Sequence, residues 1–290
     1  MSRDSIAPSR GTYIARAMKG AISDPGESVQ KVMEKCARRW ERAVRGGRLP
    51  NNQAEAEADG DWERRLHELI GAPWPCPDAT AFAPAWDSAT ATMAEHGLRV
   101  GRENFGGDDD ADPGLARALW CLVCHLRPDH VVETGVAHGL SSRIMLEALK
   151  RAGDGRLWSI DLPPMTIPER RLEVAAAVPQ ALRERWTYLE GASRRRLPPL
   201  LRQLGQIEIF CHDSLHSTRN VRWELTTAWN ALSPGGVVVV DDVDHNWGFE
   251  QFLRAGDDRQ ALFGMADDGQ RVFAIARKMP AGQRAQQGAS

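Results

Sequence analysis

The chain has 290 residues, 26% of them charged, and a formal net charge of −2. That length accommodates one large α/β domain with a sizeable extension, or two small domains, and the near-neutral balance argues against a nucleic-acid-binding surface. No apolar run approaches the ~20 residues of a membrane span, Met1-Ser2-Arg3-Asp4 lacks the apolar core of a signal peptide, and five scattered cysteines, an odd number, predict reduced thiols in a cytoplasm.

Residues 1–110 read as a helical and irregular extension. Val29, Val32, Met33, Cys36, Trp40 and Val44 recur near helical spacing under a basic outer face, which predicts a helix over 28–45. Arg45-Gly46-Gly47-Arg48-Leu49-Pro50 ends it. Short helices are expected around 62–70 and 88–96. Gly106-Gly107-Asp108-Asp109-Asp110 reads as a linker with a solvated acid run.

From Asp112 the pattern turns to alternating helix and strand. Asp112-Pro113 supplies an N-cap and an N1 proline. Cys121-Leu122-Val123-Cys124 follows in the same helix. It is formally a CxxC, but with no second pair nearby it reads as a buried apolar face rather than a metal or redox site. Strands are predicted at 130–134, 156–160, 186–189, 207–212 and 237–240, with helical segments between them. The 237–240 segment is apolar at every position, as a central parallel strand covered on both faces should be. Such alternation predicts a doubly wound, mostly parallel sheet. Residues 261–265, Asp267-Asp268-Gly269 and 271–276 read as a closing hairpin. The domain is expected over 111–280, and 281–290 as a disordered tail.

The candidate chemistry sits at strand ends. The run from Val131 to Ser142 ends a strand at the acid Glu133, turns through Gly135 and Gly139, and opens a helix with Ser141 and Ser142. Glycines let a ligand approach the main chain, and the helix start offers N–H donors and partial positive charge. The acid favours a cationic or multiply donating ligand. A dinucleotide pyrophosphate would prefer Gly-x-Gly-x-x-Gly, and Gly135-Val136-Ala137 breaks that pattern. Asp161 closes the second strand, where an acid accepts hydrogen bonds from ribose hydroxyls; an N-cap or loop aspartate is the alternative.

Asp213 ends the fourth strand and Asp241-Asp242 the fifth, so adjacent parallel strands bring three carboxylates to one edge. Three clustered acids repel and need a compensating cation. Oxygen ligands favour Mg²⁺ first, then Mn²⁺ or Ca²⁺. The alternative is that Asp213 only helps bind a cofactor and Asp241-Asp242 caps a helix. A zinc site from His212, His216 and His245 is disfavoured, because no thiolate cluster accompanies them. His216, with a reference pKa near ~6.5, can accept a hydroxyl proton at neutral pH, or else stabilises the next helix.

With its Glu133-x-Gly135-x-x-x-Gly139 motif, the chain resembles the class I S-adenosylmethionine-dependent methyltransferases over about residues 112–278. The resemblance implies a Rossmann-like, seven-stranded sheet ending in an antiparallel hairpin. It implies that Glu133, Thr134, Gly135, Gly139, Ser141 and Ser142 surround the methionine part of the cofactor, with Asp161 at the ribose. Asp213 then contacts the cofactor as well. Leu189-Glu190-Gly191-Ala192-Ser193 falls where the adenine is contacted; many relatives carry Asp or Asn at the position of Ala192, which leaves Ser193 as the candidate. The spacing from Asp213 to Asp241 is similar to that of metal-dependent O-methyltransferases of the catechol type and of bacterial sugar O-methyltransferases. Asp213-Ser214-Leu215-His216-Ser217 also resembles the cephalosporin-hydroxylase-like group. In these families the metal would be held by Asp213, Asp241 and Asp242, and His216 falls where the catechol-type enzymes carry a catalytic lysine. The implied activity is Mg²⁺- or Mn²⁺-dependent O-methylation of a small molecule, a sugar or phenolic natural product. A metal-independent N- or C-methyltransferase, a nucleotide-cofactor oxidoreductase and a non-catalytic binding protein are its rivals. The N-terminal extension is expected to cover the acceptor end of the pocket or to form a homo-oligomer contact.

Overall fold

A computed structural model describes residues 60–98, 112–163, 171–267, 269 and 271–280, together with 43 and 50. The strands, in chain order, are β1 (His130–Thr134), β2 (Arg156–Asp161), β3 (Trp186–Glu190), β4 (Ile207–His212), β5 (Leu232–Val240), β6 (Arg259–Met265) and β7 (Val272–Lys278). They form one sheet in the order β3-β2-β1-β4-β5-β7-β6. Strands β1 to β5 pair in parallel, and β7 lies antiparallel between β5 and β6. This is the Rossmann-like methyltransferase architecture expected from the sequence, closing hairpin included.

The helices are α1 (Trp62–Ile70), α2 (Ala79–Glu95), α3 (Pro113–Leu126), α4 (Leu140–Ala152), α5 (Ser193–Leu204), α6 (Thr218–Ala231) and α7 (Gly248–Leu253). They cover both faces of the sheet. Leu115, Leu119, Ile144 and Leu149 from α3 and α4 pack on Val131, Leu157, Ile209 and Val239. Leu197, Leu201, Val221, Leu225 and Phe249 from α5, α6 and α7 pack on Val132, Ile160, Phe210 and Val240. The alternation of side chains along each strand sends odd and even residues to different layers. That is why consecutive valines serve both cores.

Helices α1 and α2 belong to the first of these cores rather than to a detached unit. Trp62, Leu66, Leu69 and Phe82 are buried in it, and Trp62 meets Phe273 of β7 edge-on at 5.0 Å. Arg143 of α4 donates to Ser88 and Thr92 of α2. Helix α2 begins nine residues earlier than the expected 88–96, running through Pro84. Strand β5 likewise starts at Leu232 instead of 237, because Leu232 pairs with Ile207 across an irregular register. Asp112 caps α3 as anticipated, its side chain accepting from the Gly114 N–H at 2.6 Å. The expected 28–45 helix, apart from Ala43, which is helical, lies outside the described residues, as do the 106–110 linker and the 281–290 tail.

Candidate active site

The sheet order reverses between β1 and β4, and in open α/β sheets ligands bind beyond the carboxyl ends at such a point. The loop leaving β1 is held there by its own chain on two sides. Gly135 has φ +88, and a Cβ on it would meet the Asp213 carbonyl oxygen at 1.8 Å. Gly139 has φ +85, and a Cβ there would sit 3.0 Å from the Cα of Ala175 and from Val178. Two backbone bonds, Ala175 N–H to Ala137 and Ala177 N–H to His138, seat the 171–179 segment on the loop. The glycine spacing thus answers first to the approach of β4 and of this segment.

Beneath the loop, Glu133 and Thr134 point to opposite faces, and each enters a buried polar cluster. Ser141 and Ser142 donate to Glu133 at 2.6 Å each, and Ser159 at 2.7 Å. Burial pushes the Glu133 carboxyl up to about 7, against the pull of these three hydroxyls. On the other face Thr134 donates to Glu224 of α6 at 2.6 Å, and His212 Nδ1 lies 2.6 Å from the same oxygen. Ser214 and Asn220 donate to the second oxygen. Burial opposes charge on Glu224, but His212 and hydroxyls including Ser193 and Thr134 outweigh it and hold the pKa at about 2. The side chains of Ser141, Ser142, Thr134 and Ser193 are therefore engaged with these two acids, and the loop backbone above them is what faces the edge. Glu224, Ser214 and Asn220 are site-framing residues that sequence reasoning did not find. No motif spacing links Glu224 to Thr134, 90 positions away.

Asp161 ends β2, and its carbonyl accepts from the Gly191 N–H at 2.8 Å, tying the β2 and β3 ends together. A cavity of about 240 Å³ opens beside them, lined by Pro163, Val174, Ala175, Trp186, Tyr188 and Glu190 among others.

The carboxylate group forms as the parallel ladders run out. Asp213 N–H bonds Thr134 O and Asp241 N–H bonds His212 O, each one residue past its strand. Ligand atoms of Asp213, His216 and Asp241 lie within 4.8 Å of one another. Asp242, in a left-handed turn with φ +50, belongs to a second such group with Asp244 and His245. His216 links the two groups. Its Nε2 is 3.5 Å from Asp213 and its Nδ1 3.8 Å from Asp242, while His245 Nδ1 is 3.2 Å from Asp242. The three predicted acids are thus neighbours, with Asp213 and Asp241 sharing one cluster and Asp242 reached across His216.

Burial and the charges of Asp242 and Asp213 push Asp241 well above the usual carboxylate range, and burial also raises Asp213. Burial opposes ionisation of Asp242 too, but His245, His216 and Arg271 hold its pKa below the usual value. For His216, burial would lower the pKa, yet its bond to Asp213 and the three acid charges raise it to about 9. Oδ1 of Asp242 and Nδ1 of His216 are buried without a hydrogen-bond partner. Crowded acids and unpartnered buried donor atoms are costly unless a cation joins them, and this oxygen-rich set fits Mg²⁺ or Mn²⁺.

Residues 132–243 match the family model of a methyltransferase domain. No curated protein matches the chain in sequence. Among solved structures, the O-methyltransferase TomG from Streptomyces achromogenes, in complex with S-adenosylmethionine, is similar at 18% identity and a TM-score of 0.50, over 78% of this chain and 99% of that one. The cofactor-bound Rv0187 from MTB is similar at 19% identity and a TM-score of 0.50, over 71% and 98% of the two chains. The methyltransferase PaMTH1 of Podospora anserina, bound to S-adenosylhomocysteine, is similar at 13% and 0.50, over 76% and 96%. At these identities the likeness is one of fold.

Proposed function

We propose that this chain is a class I S-adenosylmethionine-dependent methyltransferase that methylates a hydroxyl of a small molecule at the edge where Asp213, Asp241 and Asp242 surround His216. The observation that carries the proposal is the convergence of these acids on one histidine beside the β1 loop. The cofactor supplies a methyl group on a sulfonium, so the protein has mainly to align donor and acceptor and remove one proton. The backbone of residues 135–139 and the Asp161 carboxylate would hold the donor. Glu133, tied to Ser141, Ser142 and Ser159, fixes that loop from below.

Asp213, Asp241 and Asp242 would hold a divalent cation, Mg²⁺ or Mn²⁺, whose charge offsets the acids and acidifies a nearby hydroxyl. The Nε2 of His216 faces Asp213, which leaves Nδ1 to take the proton of the acceptor. With the acids uncompensated, the ring is protonated at neutral pH, so its work as a base requires their charge to be neutralised. We put forward a sugar or phenolic natural product as the acceptor; TomG, similar in fold, is involved in tomaymycin synthesis. The segment before Asp112 would close the acceptor end or make a homo-oligomer contact. A cytoplasmic setting without a nucleic-acid or membrane partner completes the proposal. Among the described residues, no helix is long and apolar enough to cross a membrane.

The test is turnover of S-adenosylmethionine with a panel of phenols and sugars, in EDTA and after Mg²⁺ or Mn²⁺ is restored. EDTA should suppress methylation and the cation restore it. Asp242→Ala should lose the metal response while still binding S-adenosylhomocysteine in calorimetry. Full activity in EDTA with a silent Asp242→Ala would make the acids structural and leave catalysis to proximity.

A further inference from the structure

A second cluster lies far from this edge. Helix α3 ends at Leu126, four residues before β1 begins, so its last turn sits at the amino end of the sheet. Cys121 and His125 lie one turn apart there. His67 of α1 and Cys76 of the α1–α2 loop meet them. Ligand atoms of His67, Cys76 and His125 are within 4.8 Å of one another. Cys76 Sγ is 3.4 Å from His125 Nε2 and 3.6 Å from Cys121 Sγ. In a tetrahedral zinc site, with Zn–S near ~2.3 Å and Zn–N near ~2.0–2.1 Å, neighbouring ligand atoms stand about 3.5 Å apart for sulfur to nitrogen and about 3.8 Å for sulfur to sulfur. The two separations lie near those edges, while Cys121 stands outside the set of ligand atoms within 4.8 Å and meets the cluster through Cys76 alone.

His67 supplies an independent observation. Its ring is 1% exposed, and Nδ1 lies 2.7 Å from the Pro73 carbonyl, to which it can only donate. That bond fixes the tautomer and leaves the lone pair on Nε2, which is buried with no hydrogen-bond partner. Metal-bound histidines show this arrangement, with the second ring nitrogen donating to a backbone carbonyl. Without a metal, the same histidine is a buried, unsatisfied acceptor. A small, partly open space of about 20 Å³, lined in part by His67, Cys76 and Cys121, adjoins the cluster.

We propose that His67, Cys76 and His125 hold a structural zinc ion that clamps α1 and the α1–α2 loop to α3, with Cys121 turning in beside Cys76 as the fourth ligand. Two thiol sulfurs and two imidazoles are the donor set that selects zinc over magnesium, and four protein ligands leave no open position for chemistry. The clamp joins the segment before Asp112 to the methyltransferase domain, at the edge opposite the carboxylates. A Cys76–Cys121 disulfide is the competing state; it requires the sulfurs to close to about 2.05 Å and leaves His67 Nε2 unpartnered.

The experiment uses the full chain, expressed in zinc-supplemented medium and purified without a polyhistidine tag or chelator. Elemental analysis should find about one zinc per chain. Replacement by Co²⁺ should give the visible bands of tetrahedral cobalt and a near-ultraviolet thiolate charge-transfer band. Cys76→Ser and His125→Ala should each lose both signals, whereas Asp213→Asn should keep them, which separates this site from the carboxylate group. A chelator should lower the melting temperature of the wild type and leave that of Cys76→Ser unchanged. The cobalt spectrum of the wild type stands even if a variant fails to fold. Zinc-free protein without cobalt bands, or a Cys76–Cys121 cross-link in the peptide map, overturns the proposal.

Discussion

Gly135 and Asp213 touch so closely that no side chain fits between them: a Cβ on Gly135 would stand 1.8 Å from the Asp213 carbonyl oxygen and 2.9 Å from the Ser214 nitrogen. The β1 loop and the β4 end therefore share one position, and that position brings Asp213 beside the β1 loop at the carboxyl edge of the sheet. Gly135→Ala forces this backbone apart and also occupies a left-handed conformation, at φ +88. The expected loss is about 2–5 kcal/mol in urea denaturation, together with weakened S-adenosylhomocysteine binding. Gly71→Ala is the control. It shares a positive φ of +71 but meets nothing within 4 Å, so only about 1–2 kcal/mol should be lost. Equal losses at the two sites would dismiss the packing role of Gly135.

Glu133 makes stability depend on pH in an unusual direction for a carboxylate. Its folded pKa, about 7, lies above the ordinary value of 4.5. The folded state therefore binds the proton more tightly. The stabilisation is complete below about pH 4.5 and is lost as pH rises through about 7, on the order of 3 kcal/mol in all. Glu133→Gln keeps the shape and removes the titration. Denaturation midpoints between pH 4.5 and 8 should fall in the wild type and flatten in the variant; parallel curves would count against a buried, protonatable Glu133.

Glu224 acts in the opposite sense. Its folded pKa, about 2, lies below the ordinary 4.5. Its contribution is present above about pH 4.5 and disappears as pH falls through about 2. Glu224→Gln leaves His212 facing a neutral amide in the interior and should cost about 3–5 kcal/mol at pH 7, the usual loss when one partner of a buried pair is removed. The variant should also lose the steep acid limb of its circular-dichroism titration. An unchanged acid transition would mean that other carboxylates drive acid unfolding.

The sequence was most informative where one local run carries both the structure and its reason. The Glu133 to Ser142 run contains strand end, turn and helix start, and parallel pairing alone predicts that Asp213 and Asp241 share an edge. Boundaries failed where turn-forming residues continue an element. Ser233-Pro234-Gly235-Gly236 suggests a break, yet Leu232 pairs with Ile207 and starts β5; Pro84 suggests a helix end, yet α2 runs through it. Long-range polar contacts were invisible. Glu224 looks like any acid on an amphipathic helix until it meets Thr134 and His212. Cys121 looks like half of a CxxC pair with Cys124, while its sulfur neighbour is Cys76, 45 positions away.

His216 tests whether the acids and the base act together. In the metal-free enzyme its folded pKa, about 9, lies above the ordinary 6.5. The charged ring is therefore favoured by folding, fully below about pH 6.5, and that contribution is lost as pH rises through about 9. Followed by NMR without divalent ions, its ring protons should titrate near pH 9. Adding Mg²⁺ should move the midpoint down towards neutrality, because a cation beside Asp213, Asp241 and Asp242 cancels the charges that hold the proton on the ring. His216→Ala should then reduce kcat by about 10²–10⁴, the usual range for a general base, and reduce it less with an acceptor whose hydroxyl is already ionised. Binding of S-adenosylhomocysteine should be preserved, since the proposed donor site is the β1 loop. A midpoint indifferent to Mg²⁺, with a kcat loss equal for neutral and ionised acceptors, would assign His216 to helix packing and leave proton removal to another group.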